Sequence, residues 1–216
     1  MKSWKQLFAP VRISLILWVL LVSSSNGYAQ KPTHSYVFVG EKIDVHRITI
    51  PPKPNTIMMD GAFEATYLVV HNVYGGYAQD TIRFRVYDHY GTPGFAKFQY
   101  VLLYVSEYDG KLYHEKYQFS PIFKASNGRW AGPYATGDYK HPFLEKEPTQ
   151  VKPEKILFGP DAFIDITGYD LGIAQQQFPA PYYRLEGNRA IPVFGNYVED
   201  LFQLKKDGVL KARGLF

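Results

Sequence analysis

The sequence predicts a mainly β protein: a small antiparallel barrel, a loop-rich carboxyl-terminal extension and a short terminal helix. Three observations carry this. Thr81 to Val86 alternate strictly, with Ile82, Phe84 and Val86 on one face and Thr81, Arg83 and Arg85 on the other, the period of a strand with one dry face. Tyr100 to Val105 (YVLLYV) is apolar throughout and too short for an ordinary helix, which fits a strand covered on both faces. Asp109-Gly110 then offers positive φ at both centres of a two-residue hairpin turn. That turn would set Tyr104 opposite Glu115, Leu102 opposite Tyr117 and Tyr100 opposite Phe119.

Taken in order, Met1 to Ala29 reads as a cleaved secretory signal. Lys2, Lys5 and Arg12 precede the apolar run Ile13 to Val22, and Gly27 and Ala29 suit cleavage after Ala29. The run is about half the ~20 residues that span a bilayer, so an uncleaved anchor fits less well, and no transmembrane segment is expected after cleavage. Ser35 to Ile50 is a long strand candidate bent at Gly40, broken by the segment PPKPN that starts at Pro51. Phe63 to Val73 is the next strand and Gly75-Gly76 the next turn. Gly91 to Gly94 (GTPG) is a loop, and Asn127-Gly128 marks a hairpin between Pro121–Ala125 and Arg129–Ala131. About six strands thus fall between Ser35 and Ala131, and closure into a barrel would protect their edges.

Gly137 to Lys155 is charged and carries three prolines, the composition of a long surface loop. Ile156–Phe158, Phe163–Ile166 and Ala190–Phe194 are short strand candidates. Asn196 to Lys206 reads as a helix, with Asn196 as its cap, Glu199 at the capping-box position and Gly208 as its stop. Val198, Leu201, Phe202 and Lys205 share one of its faces. The expected organisation is a signal peptide at 1–29, a barrel domain at 30–134, and an extension at 135–216 packed on that same domain.

Composition narrows function. Aromatic residues make up 17% of the 216 residues, with 18 Tyr and 15 Phe, which suits sheets with half-wet faces. Loss of the three leader cations lowers the net charge of +4 to about +1, which argues against nucleic acid as a partner. There is no Cys, so neither disulfides nor thiolate chemistry is available. These features point to a bacterial protein, periplasmic or secreted.

The first half resembles the netrin-like fold, the OB-like barrel shared with metalloproteinase inhibitors of the TIMP kind. The residues behind this are Val37-Phe38-Val39-Gly40, Val73-Tyr74-Gly75-Gly76 before the Asp80–Asp88 strand, and Phe98 to Tyr104. The resemblance implies a protein-binding module. Inhibitors of that family chelate zinc through an amino-terminal Cys; here the expected start is Gln30, so protease inhibition does not carry over.

Candidate chemical groups are few. Asp44 and His46, two apart, would share a strand face as an acid–base or metal pair. Asp88-His89 ends the alternating strand, where polar groups either make turns or reach sites. His71, among Phe63, Tyr67, Val69 and Val73, reads as a core histidine, and His114 and Glu115 would point apart on a strand. Tyr87, Tyr90, Tyr108 and Tyr113 are candidates for an aromatic contact patch, or else half-buried sheet tyrosines. No nucleophile elbow, zinc-protease motif, phosphate loop, dinucleotide fingerprint or EF-hand is present, so no cofactor and no metal is expected. The leading expectation is therefore an exported non-enzymatic module that binds a protein or cell-envelope component. The alternatives are an exported hydrolase or lyase using Asp44, His46, Asp88 and His89, and a small outer-membrane β-barrel.

Overall fold

Five strands close into a barrel in the computed structural model, which describes residues 31–51, 59–139 and 150–216. They are β1 (His34–Ile48), β2 (Gly61–Tyr74), β3 (Thr81–Asp88), β4 (Tyr100–Tyr108) and β5 (Lys111–Pro121), in the order β1-β2-β3-β5-β4, with β4 returning to β1. The expected signal peptide, most of PPKPN and the middle of the expected surface loop lie outside the described residues. All neighbours in the barrel are antiparallel except β3 and β5, which meet in parallel at Arg85 and Tyr113.

The alternation in β3 has its expected consequence. Ile82, Phe84 and Val86 are buried in the barrel with Phe38, Tyr67 and Phe95. The YVLLYV run is dry on both faces for a definite reason. Val101, Leu103 and Val105 point into the barrel, while Leu102 and Tyr104 point outward into a second cluster with Ile122, Leu201, Leu204 and Leu210. Phe95, on the 3-10 turn Gly94–Lys97, is almost fully buried and plugs one end of the barrel. Gly40 lies where β1 shifts register, and a Cβ there would sit 2.9 Å from Tyr67 Cδ1. The bend reflects close approach of a buried ring.

The expected register of the β4–β5 hairpin holds only near its turn. Tyr108 pairs with Lys111 and Val105 with His114, but Leu103 then pairs with Phe119. Two steps along β4 are matched by five along β5, so the chain bulges over Glu115–Gln118, with Tyr117 at φ +66°. The expected pairs Tyr104–Glu115, Leu102–Tyr117 and Tyr100–Phe119 do not form. The register shift keeps Phe119 against Phe95 and Phe98.

The Asn127-Gly128 hairpin forms between β6 (Phe123–Lys124) and β7 (Trp130–Pro133), outside the barrel. β8 (Glu154–Lys155) and β12 (Phe194–Tyr197) complete its four-stranded sheet, in the order β6-β7-β12-β8. β9 (Ile164–Asp165), β10 (Tyr183–Glu186) and β11 (Arg189–Pro192) form a third sheet. Two short helices, α1 (Thr136–Tyr139) and α2 (Leu171–Gln177), lie between these strands in the sequence.

The terminal helix α3 spans Val198–Lys205. Asn196 does not cap it. It is buried in β12, where its Oδ1 accepts from the Tyr139 hydroxyl and its Nδ2 donates to the Lys152 carbonyl at 2.9 Å. Gly208 kinks the chain within the π-type turn Lys206–Leu210 instead of ending the helix. The docked face is Val198, Leu201, Phe202 and Leu204, while Lys205 reaches Asp138.

Candidate ligand cavity at the barrel mouth

Asp88 is the last residue of β3, in phase with Ile82, Phe84 and Val86, so its side chain turns inward at the barrel mouth. It is only 8% exposed. Its Oδ1 accepts from the Tyr90 backbone N–H at 2.8 Å, which turns the chain away from the strand.

The β5 bulge supplies the facing wall. His114 remains inside, its ring 4.7 Å from Phe95 and 6.2 Å from Phe84. Its Nε2–H donates to the Gln118 carbonyl at 2.8 Å, which leaves Nδ1 with a lone pair. Burial pushes the His114 pKa down to about 3, partly offset by the bond to Gln118, so the ring is neutral at ordinary pH. The 3-10 turn closes the third side with Phe95 and Lys97. The enclosed space is a cavity of about 320 Å³. Tyr90, 85% exposed, and Tyr117 stand at its lip with ring centres 5.8 Å apart.

Of the tyrosines singled out in the sequence, Tyr87 and Tyr90 line this cavity and Tyr108 and Tyr113 do not. Tyr113 stacks on Tyr87 at 6.3 Å and lies 6.2 Å from Tyr108. Tyr87, Tyr108 and Tyr113 are half-buried sheet residues, with Tyr113 in contact with the other two. The Tyr108 hydroxyl donates to Glu115 at 3.2 Å, and burial with that carboxylate raises its pKa to about 12.

His89 turns outward, away from Asp88. Its Nδ1 donates to the Met59 carbonyl at 3.2 Å and lies 3.6 Å from Asp60. Asp44 and His46 do share a strand face and touch each other at 2.5 Å, both well exposed. They face Thr66 and Glu64 on β2, whereas Asp88 faces Gly61, so the two pairs do not meet in one cleft. Among the described residues no three His, Asp or Glu side chains gather as a metal site. His71 is not a core residue; it is exposed, with its Nε2 3.5 Å from Glu199. Tyr117, Lys97 and Phe119 join the cavity without having been weighed as site residues, and His114, read from the sequence only as pointing away from Glu115, lines it too; the bulge that turns His114 and Tyr117 to it has no signature in the sequence.

A second hollow of about 340 Å³ lies between β4, the β6–β7 hairpin and Gly159–Ala162. Its aromatic wall pairs Tyr100 with Trp130 at 4.9 Å, but the Lys124 ammonium lies 4.0 Å over the Trp130 ring. The chain's own cation therefore occupies that platform. No protein-family model, curated protein or solved structure matches the chain.

Proposed function

We propose that this chain is an exported, non-enzymatic β-barrel module that binds a protein or cell-envelope component at the barrel mouth. One observation carries the reading: a buried carboxylate lies at the base of a small cavity whose lip is two exposed tyrosines. Exposed aromatic side chains beside a concave polar pocket are the usual anatomy of recognition. The cavity favours binding over catalysis. The imidazole proton on Nε2 is held by a carbonyl, and one oxygen of Asp88 braces a turn.

The strand order supports an OB-type barrel, with β1 flanked by β2 and β4 and β5 returning beside β3. That agrees with the netrin-like resemblance and its association with binding modules. Export, with cleavage after Ala29 and a periplasmic or secreted location, belongs to this same proposal. The outer-membrane reading is weaker because membrane barrels of this class begin at eight strands and have polar interiors; this closed barrel has five strands and an apolar interior. The hydrolase reading loses its motive with the separation of Asp44 and His46 from Asp88.

The test is site-specific photo-crosslinking in intact cells, with a photoactivatable phenylalanine placed at Tyr90 or, as a control, at exposed Leu171 on α2. A discrete adduct from position 90 and none from position 171 is the expected result. Equal or absent adducts at both positions would refute binding at the mouth.

A further inference from the structure

We propose that the barrel-mouth cavity takes a single uncharged sugar ring, its hydroxyls donating to the buried Asp88 carboxylate and its apolar face lying on the Tyr90–Tyr117 lip. This rests on the binding reading above and names the chemistry of the ligand.

The base of the cavity is rich in acceptors. Asp88 lines the cavity with one oxygen bound to the Tyr90 N–H, and a carboxylate has lone pairs left to accept from a ligand. His114 is neutral and commits its only N–H to Gln118, so it too can only accept. Acceptors that face the cavity suit a ligand that brings several donors.

The surrounding charge decides which donor-rich ligand fits. A cation would meet Asp88, but Lys97 lines the cavity and the Lys116 ammonium lies 5.3 Å over the Tyr117 ring at the lip. That ammonium covers one face of the Tyr117 ring and repels a second cation from its neighbourhood. An anion would suit Lys97 and be repelled by Asp88 in the low-dielectric base. A neutral polyol avoids both conflicts: its hydroxyls donate to Asp88 and accept from Lys97, and its C–H face covers aromatic surface. The size agrees, since about 320 Å³ lies at the lower end of the ~300–1,000 Å³ typical of small-ligand sites. That is room for one ring and little more.

The experiment is a titration of the full chain by calorimetry and by amide NMR. Three classes of probe are used: glucose, galactose and N-acetylglucosamine; N-acetyl-lysine methylamide; and inorganic phosphate. The expected result is saturable binding of at least one sugar, shifting the His114 and Tyr117 amides. That binding should weaken about tenfold or more in both Asp88→Asn and Tyr90→Ala. Tyr90 is too exposed to support the fold, so Tyr90→Ala reports on binding alone. Tighter binding of the lysine amide or of phosphate, saturation by no sugar, or sugar binding unchanged in Tyr90→Ala would each overturn the proposal. A position-90 crosslink that persisted in any of those cases would leave the binding module standing and remove only its sugar ligand.

Discussion

His114 and Gln118, four residues apart on one strand, hydrogen-bond to each other inside the barrel, imidazole Nε2 to backbone carbonyl at 2.8 Å. A regular strand cannot bring residues at that spacing together, since each residue advances about 3.3 Å. The contact exists because β5 bulges over Glu115–Gln118 where its pairing with β4 slips. The bulge frees the Gln118 carbonyl from the ladder, and a buried carbonyl must find another donor. The imidazole supplies it, and the same turn of chain carries Tyr117 to the cavity lip.

Acid stability follows from this pair. Burial lowers the His114 pKa from 6.5 to about 3 in the folded chain, so between those values the unfolded chain binds a proton that the native state refuses. Stability is unaffected by this group above pH 6.5 and falls as pH drops from there towards 3, with a slope approaching about 1.4 kcal/mol per pH unit. Urea unfolding midpoints measured from pH 7 to 4 should show this decline in the parent and a flatter profile in His114→Gln. Parallel profiles would contradict the burial of a neutral imidazole.

Tyr117 holds φ +66°, a region that costs a side-chain-bearing residue about 1–2 kcal/mol. Glycine removes that cost but adds roughly 0.5–1 kcal/mol of backbone entropy. Tyr117→Gly should therefore unfold within about 1 kcal/mol of the parent while losing ligand affinity, because the ring at the lip is gone. Chemical denaturation and the sugar titration, run on one preparation, separate the two effects. A collapse in stability would mean that the Tyr117 ring supports the barrel.

Much of the barrel is legible in the sequence because its signals are local and periodic. The alternation at Ile82, Phe84 and Val86, the dry run Tyr100–Val105 and the turn at Asp109-Gly110 each depend on residues next to one another. What is illegible depends on partners far along the chain. Asn196 looks like a helix cap in sequence, but its amide is claimed by Tyr139 and Lys152. The apolar setting of His71 in sequence hides an outward-facing position on β2. The site divides the same way. Asp88, Tyr87 and Tyr90 stand at a strand end that alternation marks, whereas His114 and Tyr117 enter through a register shift that no local pattern announces.

The terminal helix is held by Leu201, which is nearly fully buried among the outward-facing residues of β1 and β4. It sits against Gly132 of β7, where a Cβ would come within 2.7 Å of Leu201 Cδ1. Leu201→Ala opens a cavity at that contact and should cost about 2–5 kcal/mol. Gly132→Ala should also destabilise, by overpacking. In the double variant Leu201→Ala/Gly132→Ala the loss should be smaller than the sum, because the added methyl enters the space left by leucine. Strict additivity in denaturant titrations would show that helix and sheet do not meet there.

Tyr67 poses the opposite problem at the barrel centre. Its ring packs against Phe84 and Phe95, but its hydroxyl is buried with no hydrogen-bond partner among the described residues, and burial pushes its pKa well up. An unpaired buried hydroxyl costs about 1–3 kcal/mol, so Tyr67→Phe, which keeps the ring, should raise stability by roughly 1 kcal/mol. Gly40→Ala presses on the same ring, with its new Cβ 2.9 Å from Tyr67 Cδ1 and 3.2 Å from Leu103 Cδ1, and should lose about 1–3 kcal/mol. Because phenylalanine keeps Cδ1, Tyr67→Phe should not rescue Gly40→Ala beyond its own gain. A rescue would locate the strain at the hydroxyl; destabilisation by Tyr67→Phe alone would mean that the hydroxyl has a partner, such as a buried water.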